Sequence, residues 1–357
     1  MKPIAAKPAP TVSIDSIPLR LPLWHRLVMA AIRTVYFRHV TLASTLPAPE
    51  AGKPRLWLIS HRNGALDACI VLAFCPNAQF LVSMQLLRNP FLRALFSGIP
   101  VVREKDRQRY GMNRSDIADP IALSCQHMQR GGELAIFPEG SSEWGHKPQA
   151  YHSGSARIVR RLLESGITPQ VIPLGLFYRA PDKFRADAEI LAGAAVDLPP
   201  RLPDETARQW ENRLQAAMVS ALDAVSVNCA DKATFEQVER LAGADNTSSY
   251  AQAFVYWQNH AAHSPLPAAP PLRHAHSLWW AIPFMAVFCI LFAPVLLASW
   301  FAGKQADGKN TVSFFRVLGG LAALLLYLPF LLAAFYCAPL PIGIAAILAY
   351  LGWKLWQ

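Results

Sequence analysis

Charged residues are scarce in this sequence of 357 residues. Asp, Glu, Lys and Arg together make up 16% of it, hydrophobic residues make up 53%, and the mean hydropathy is +0.21. In an average soluble protein about a quarter of the residues are charged. Acidic residues are the rarer kind, with 24 against 34 basic ones, so the net charge is +10. The composition therefore argues against an ordinary soluble enzyme and indicates a membrane-associated chain with an anionic partner.

Cysteine motifs, a signal peptide and internal repeats are absent as well. The six cysteines include no C-x-x-C pair, which argues against a disulfide framework, and we expect reduced, buried thiols. The first residues, MKPIAAKPAPTVSIDSIP, lack the apolar core of a secretory signal peptide. Neither a recognition motif nor a metal-ligand spacing of Cys and His accompanies the basic charge, so we expect no nucleic-acid partner.

Long apolar runs fill the C-terminal part of the chain. Residues 278–301 carry no charge and are long enough to cross a bilayer. After a polar loop, residues 314–357 are almost continuously apolar and allow two further spans that turn near residues 337–341, unless the last is re-entrant. Tryptophans stand at the ends of these runs, where interfacial aromatic residues belong: Trp279, Trp280, Trp300, Trp353 and Trp356. We therefore predict a membrane anchor of two or three helices.

The positive charge lies almost entirely on the first 275 residues. An anionic membrane surface accounts for this charge, because the chain is anchored there already. Basic segments remain on the cytoplasmic side of a membrane. We therefore predict an integral protein of the inner membrane whose basic N-terminal portion faces the cytoplasm, with anionic lipids as partners.

The middle of the chain alternates short apolar strands with helical stretches. The predicted strands cover residues 56–59, 80–83, 101–102, 134–137, 171–174 and 189–191, and the predicted helices lie near 67–75, 86–97, 113–130 and 153–165. Such alternation is typical of an α/β domain. The predicted fold class is therefore α/β, with a mostly parallel sheet and flanking helices, followed by a C-terminal all-α membrane segment.

Changes in composition divide the chain into five parts. We predict a loosely ordered segment over 1–22, an α/β domain over 23–200, a helical extension over 201–263, a Pro-rich linker over 264–275 and a membrane anchor over 276–357. The α/β domain begins with apolar residues at helical spacing, interspersed with arginines. This pattern predicts an amphipathic helix that either packs on the core or lies on lipid.

The stretch SHRNGALDA directly follows the first predicted strand. It brings His61 and Asp67 into one turn, in which Gly64 supplies backbone freedom. A carboxylate on Nδ1 of a histidine fixes its tautomer and leaves Nε2 to accept a proton from a hydroxyl group. The alternative is a polar turn in which Asp67 only caps the next helix.

Three later segments carry further candidate residues. GIPVVR ends in Arg103, whose planar guanidinium suits a phosphate, although a surface ion pair is the alternative. In FPEGSS, Glu139 is suited to bind a polyol hydroxyl, and the amides of Gly140 and Ser141 to hold a phosphate or an oxyanion, unless the segment is an ordinary turn. In VIPLG, Pro173 interrupts an apolar strand, which predicts a sheet edge or a pocket wall.

Taken in order, these four segments resemble the motifs of the glycerolipid acyltransferase family, which includes the bacterial 1-acylglycerol-3-phosphate acyltransferases. The resemblance covers residues 23–199. It implies a membrane-bound O-acyltransferase that moves a fatty acyl group from acyl-CoA or acyl carrier protein to a glycerol-phosphate or lysophospholipid hydroxyl. It also implies that no cofactor and no metal are needed. By the same resemblance His61 and Asp67 are catalytic, and the substrate-binding residues are Arg103, Glu139, Gly140, Ser141, Arg62, Asn63 and Pro173.

Two departures from the family pattern bear on the acceptor. Five residues separate His61 from Asp67, where the first motif usually has four, and Ser142 stands where bacterial lysophosphatidate enzymes commonly have arginine. The branch that acylates glycerol-3-phosphate or dihydroxyacetone phosphate is similar to this chain in its longer spacer. Another lipid hydroxyl, such as that of a lyso-ornithine lipid, stays open as the acceptor.

Two other classes of function also stay open. A metal-dependent phosphohydrolase could use His61, Asp67 and Glu139 as its polar groups. A non-catalytic membrane scaffold would need the His–Asp turn only as a helix start.

Overall fold

The computed structural model of the chain describes residues 14–93, 95–102, 119–245, 249–260 and 279–356. The strands in these ranges are β1 (Phe37–Leu42), β2 (Arg55–Ile59), β3 (Ala78–Ser83), β4 (Ile99–Val101), β5 (Glu133–Ile136), β6 (Gln170–Arg179) and β7 (Ala186–Ala192). The helices up to residue 164 are α1 (Leu23–Tyr36), α2 (Leu66–Val71), α3 (Met84–Arg88), α4 (Pro90–Arg93), α5 (Pro120–Gln129) and α6 (Gly154–Glu164). The later helices are α7 (Ala207–Asp223), α8 (Lys232–Ala244), α9 (Tyr250–His260), α10 (Ile282–Leu291), α11 (Ala293–Gly303), α12 (Lys309–Cys337) and α13 (Pro339–Leu355).

The described strands form one mostly parallel sheet with helices on both faces. Their order is β1-β7-β6-β2-β5-β3-β4. Neighbouring strands are parallel except β6 and β7, which pair antiparallel. The α/β class predicted from the alternation of strands and helices is therefore confirmed.

Strand β2 lies at the centre of the sheet because it is apolar on both faces. Trp57 and Ile59 pack into one cluster with α1 and α2, whereas Leu56 and Leu58 pack into a second cluster with α5, α6 and α7. Successive side chains of a strand point to opposite faces, so an uninterrupted apolar run is what a strand covered on both sides requires.

Several predicted boundaries differ from the structure. The helix predicted over 86–97 is two short helices, because Pro90 begins α4 and cannot continue α3. The strand predicted at 101–102 lies earlier, as β4, and α2 ends four residues before the predicted boundary at residue 75. Strand β1 was not predicted at all. The predicted linker over 264–275 and the N-terminal part of the helix predicted over 113–130 lie outside the described residues.

Pro173 lies in an interior strand, so the predicted edge position is wrong. Strand β6 pairs with β2 on one side and with β7 on the other. The Pro173 carbonyl accepts the Gly193 amide, directly beyond the end of β7. In a strand the N–H and the C=O of one residue point to the same side. An N–H at position 173 would therefore point toward the end of β7 and not toward β2, so proline removes no hydrogen bond between β6 and β2.

The helical extension packs on the same sheet. Trp210, Leu214, Met218 and Leu222 form the buried stripe of α7 that their spacing predicts. Helices α8 and α9 enclose a third cluster with Phe177, in which Phe235 and Phe254 lie. Burial of each side chain of this size contributes about 1.5–3 kcal/mol.

The C-terminal apolar region contains α10 to α13. The span predicted over 278–301 is broken, since α10 and α11 meet at a 79° bend. Pro294 lies at the second position of α11 and supplies a reason for the break. Helix α12, with 29 residues, is long and apolar enough to cross a membrane, and the bent pair would make a second span if counted as one. Two or three spans were predicted. At 17 residues α13 is a shorter apolar helix.

The apolar helices dock on the α/β unit near the start of α12 and the end of α13. The Ser313 hydroxyl and the Arg316 guanidinium donate to the carbonyls of Pro181 and Asp182. Trp353 donates its indole N–H to the Val35 carbonyl at 3.2 Å. In contrast, none of the most apolar window of α12 is buried.

The predicted amphipathic helix packs on the core with one face, and its contact with lipid stays a prediction. In α1 the side chains of Met29 and Tyr36 are buried against the sheet, whereas Leu23, Trp24 and Leu27 are exposed. All six cysteines are unpaired, as expected. Four are buried, whereas Cys289 is half-buried and Cys337, at the end of α12, is exposed.

Candidate active site

The candidate site lies where β2 and β5 end. Residues 56–58 pair with 134–136 in parallel. The loops that follow the two strands therefore leave the sheet at the same end, that of the strand carboxyl termini. One loop carries SHRNGALDA and the other carries FPEGSS. This end is where α/β proteins bind their ligands.

His61 and Asp67 form the predicted pair. Nδ1 of His61 lies 2.8 Å from Oδ2 of Asp67. The side chain of His61 is 13% exposed and that of Asp67 is fully buried. The imidazole stacks on Phe137, with 4.2 Å between ring centroids and 18° between planes. Gly64, at φ +55, supplies the left-handed backbone that the turn requires.

Asp67 is held by more than the histidine. Its carboxylate accepts the backbone N–H of Arg62 at 2.7 Å and that of Asn63 at 2.9 Å, and it also accepts the hydroxyl of Tyr178. Burial and the charge of Asp67 hold the pKa of Tyr178 well above its ordinary value, so the phenol stays a donor. These contacts fix the carboxylate on the turn.

The alternative that Asp67 only caps a helix is wrong. The N-cap of α2 is Ala65, which makes no side-chain cap hydrogen bond, and Asp67 is the second residue inside the helix. Its carboxylate contacts the preceding turn instead. A negative charge in the first turn of a helix is also favoured by the helix dipole.

Glu139 joins the two loops. Its Oε1 accepts the backbone N–H of His61 at 2.8 Å, and its Oε2 accepts that of Gln149 at 3.1 Å. Burial raises the pKa of Glu139, while these backbone hydrogen bonds lower it. Glu139 therefore holds the backbone of the catalytic candidate. A contact between Glu139 and a substrate hydroxyl stays a prediction.

Gly140 closes a turn that begins at Phe137, and Ser141 follows that turn. The Gly140 amide donates to the Phe137 carbonyl at 3.0 Å, so its predicted use for a phosphate or an oxyanion is not available in this conformation. A Cβ at Gly140 would lie 2.9 Å from the His152 ring, which explains a glycine at φ +68. The Ser141 hydroxyl donates to the Gln149 side chain at 2.7 Å.

Arg62 and Asn63 are buried rather than open to solvent. The Arg62 guanidinium lies 4.6 Å from the centre of the Trp144 ring and donates to the Gly145 carbonyl at 2.8 Å. Burial lowers the pKa of Arg62, and the charges of Glu139 and Asp67 raise it. The side-chain amide of Asn63 has no hydrogen-bond partner among the described residues. Substrate contacts of either residue stay predictions.

Arg103, the predicted phosphate ligand, lies outside the described residues, which resume at Asp119. Pro173 lies on β6 beside β2, within the sheet that carries the site. Within the described ranges, no three His, Cys, Asp or Glu side chains are grouped closely enough to hold a metal ion.

Three residues of the site were not predicted. Tyr178 contacts Asp67, Trp144 covers Arg62, and Gln149 links Glu139 to Ser141. Of the three, only Tyr178 could have been suspected from the sequence, because it lies a few residues after VIPLG on the same strand, β6. The other two lie in a loop whose local sequence gives no indication of its partners.

Comparison with known proteins adds a distant likeness. The sequence matches no protein-family model and no curated protein. Among solved structures it is similar to the 1-acyl-sn-glycerophosphate (LPA) acyltransferase PlsC from Thermotoga maritima. The identity is 13%, the match covers 55% of this chain and 77% of that chain, and the TM-score is 0.36. A likeness this remote carries no argument about function, which rests here on the geometry of the site.

Proposed function

We propose that this chain is a membrane-bound O-acyltransferase. It transfers a fatty acyl group from the thioester of acyl-CoA or acyl carrier protein to a hydroxyl of a glycerol phosphate or a lysophospholipid. The proposal includes the domain limits predicted above and a catalytic domain that faces the cytoplasm from the inner membrane. No cofactor takes part in it.

The observation that carries the proposal is the 2.8 Å contact between His61 Nδ1 and Asp67 Oδ2. A buried carboxylate on Nδ1 favours the tautomer that leaves Nε2 unprotonated, and it stabilises the imidazolium that forms when Nε2 accepts a proton. A base oriented in this way contributes about 10²–10⁴-fold to a rate. The resemblance of the four ordered motifs to those of glycerolipid acyltransferases points to the same chemistry.

The reaction then proceeds in two steps. Nε2 of His61 accepts the proton of the acceptor hydroxyl while that oxygen attacks the thioester carbonyl, giving a tetrahedral intermediate. When the intermediate collapses, the C–S bond breaks, the acyl group stays on the acceptor oxygen, and the thiolate takes the proton from the imidazolium. Protons and electrons balance without a covalent enzyme intermediate.

The apolar helices support a lipid as substrate or product. The start of α12 contacts the loop that carries Ser142, so the candidate site lies beside the segment that would enter the membrane. A fatty acyl chain would therefore have only a short distance to move between the site and the membrane.

An acceptor panel tests the proposal. The full chain is purified in detergent and given acyl-CoA or acyl carrier protein thioesters with glycerol-3-phosphate, dihydroxyacetone phosphate, lysophosphatidate or lyso-ornithine lipid. Acylation of at least one acceptor is expected, and it should be lost in His61→Ala. Phosphate release without a thioester, lost on chelation, would instead favour a phosphohydrolase. No turnover in any arm, with the cellular phenotype unchanged in His61→Ala, would favour a scaffold.

A further inference from the structure

The first turn of α12 lies against the candidate site. The side-chain amide of Asn310 donates to the Ser142 carbonyl at 2.8 Å and to the Ser142 hydroxyl at 2.9 Å. Ser142 ends the FPEGSS loop, 168 residues away in the sequence. A residue of the C-terminal apolar segment is therefore bonded directly to a loop of the α/β unit.

Asn310 also lies beside the other loop of the site. Its backbone carbonyl oxygen lies 3.2 Å from the position that a Cβ would occupy on Gly64. Gly64 stands between His61 and Asp67, and its φ of +55 disfavours any other residue. The backbone of Asn310 thus lies close to the His61–Asp67 turn, and its side chain bonds to the Ser142 loop.

The Ser142 loop holds the backbone of His61 on both sides. The His61 N–H donates to Glu139, and the His61 carbonyl accepts the amide of Glu143 at 3.3 Å. Glu143 directly follows Ser142. A shift of Ser142 therefore reaches His61 through one peptide unit and one hydrogen bond.

Other contacts fix α12 independently of Asn310. Ser313 and Arg316 bond to the carbonyls of Pro181 and Asp182, and Nζ of Lys309 lies 3.8 Å from Asp182. Removal of the Asn310 side chain would leave the helix docked. Its effect should therefore be confined to the site.

From these contacts we propose that Asn310 is a positioning residue for His61. The start of α12, packed on the α/β unit, holds the Ser142 loop next to the His61 turn. The catalytic geometry therefore forms only when α12 is packed on the α/β unit. The inference has two consequences. Its effect on kcat rests on the proposed acyl transfer, whereas its effect on the position of His61 rests on the contacts alone.

Kinetics of the full chain in detergent test the first consequence. In Asn310→Ala we expect kcat to fall about tenfold, because small displacements of a catalytic group are costly, while KM stays within about twofold. Thr311→Ala is the matched control, since among the described residues the Thr311 hydroxyl bonds only within its own turn, to the Gly308 carbonyl, and it should keep the wild-type kcat. Asn310→Ala and Ser142→Ala should combine less than additively, because they remove a shared bond.

A chemical probe of His61 tests the second consequence without any turnover. Diethyl pyrocarbonate modifies accessible imidazoles, and peptide mass spectrometry gives the rate at His61, with the exposed His39 as internal reference. We expect Asn310→Ala to change the His61 rate severalfold and Thr311→Ala to leave it unchanged. Unaltered His61 rates and kcat in Asn310→Ala would overturn the inference. If the wild type transfers no acyl group, the proposed function fails, and the His61 rates still decide whether Asn310 positions the turn.

Discussion

The hydroxyl of Tyr178 donates a hydrogen bond to Oδ1 of Asp67, the carboxylate whose other oxygen faces His61. Tyr178 lies on β6 and Asp67 on α2, so this bond ties the His61–Asp67 turn to an interior strand of the sheet. Both side chains are buried. Inside a protein a charged acceptor gains more from such a donor than it would in water.

Tyr178→Phe should therefore impair both stability and turnover. Loss of a hydrogen bond to a charged group costs about 1.5–3 kcal/mol, and we expect kcat to fall severalfold, because the Asp67 carboxylate loses one of its fixed contacts. Thermal unfolding in detergent and acyl-transfer kinetics measure the two effects. Tyr151→Phe is the matched control, since Tyr151 likewise donates to a carboxylate, that of Asp223, at 2.6 Å. It should lower stability and leave kcat unchanged, and an equal loss of kcat in both variants would contradict the role of Tyr178.

Asp67→Asn should nearly abolish acyl transfer. The carboxylate oxygen that faces His61 also accepts the amides of Arg62 and Asn63, so an amide nitrogen cannot replace it without losing an acceptor. An amide oxygen there would also no longer supply the charge that stabilises the imidazolium. Replacing the carboxylate that orients a histidine base costs kcat about 10⁴-fold. Single-turnover rates of wild type, Asp67→Asn and the control Asp223→Asn measure this. A loss below tenfold in Asp67→Asn would mean that His61 is not the base.

The His61–Asp67 pair could be predicted because both residues lie in one short turn after an apolar strand. Strands β2, β5 and β6 could be predicted for a related reason, since strands covered on both faces are uninterrupted apolar runs. In β1 the adjacent polar residues Arg38 and His39 interrupt the alternation that is typical of a strand, and its place in the sheet depends on pairing with β7 across most of the domain. Local pattern therefore did not reveal it.

The remaining parts of the site depend on long-range contacts. The bond from Tyr178 to Asp67 joins residues 111 positions apart, and that from Asn310 to Ser142 joins residues 168 apart. The predicted role of Glu139 treated it as facing a ligand, whereas its two oxygens meet backbone N–H groups of two other segments. Hydropathy likewise predicted one span where α10 and α11 bend, because hydropathy measures composition and not backbone direction.

Glu139 should make stability depend on pH. Burial raises its pKa in the folded state above its ordinary value of about 4.3, so the folded state binds the proton more tightly than the unfolded state does. The stabilisation that this tighter proton binding gives the folded state is fully present below the ordinary pKa, and it is lost as the pH rises through the raised pKa of the folded state. Compared with Glu139→Gln, which cannot titrate, the wild type should therefore lose free energy of unfolding between pH 4.5 and 7.5. Melting both proteins at the two pH values measures the gap, and a gap independent of pH would contradict the prediction.

Cys337 reports whether α12 crosses the membrane. The helix starts on the α/β unit, and its 29 residues span about 43 Å at 1.5 Å per residue, more than the hydrocarbon core of about 30 Å. Cys337 is exposed at the far end. In membranes that contain the Cys289→Ala variant, an impermeant maleimide should therefore label Cys337 only from the side opposite the α/β unit. The Cys337→Ser variant gives the background, and Ser165→Cys, at an exposed position, marks the side of the α/β unit. Labelling of both positions from the same side would make α12 and α13 a re-entrant hairpin rather than a span.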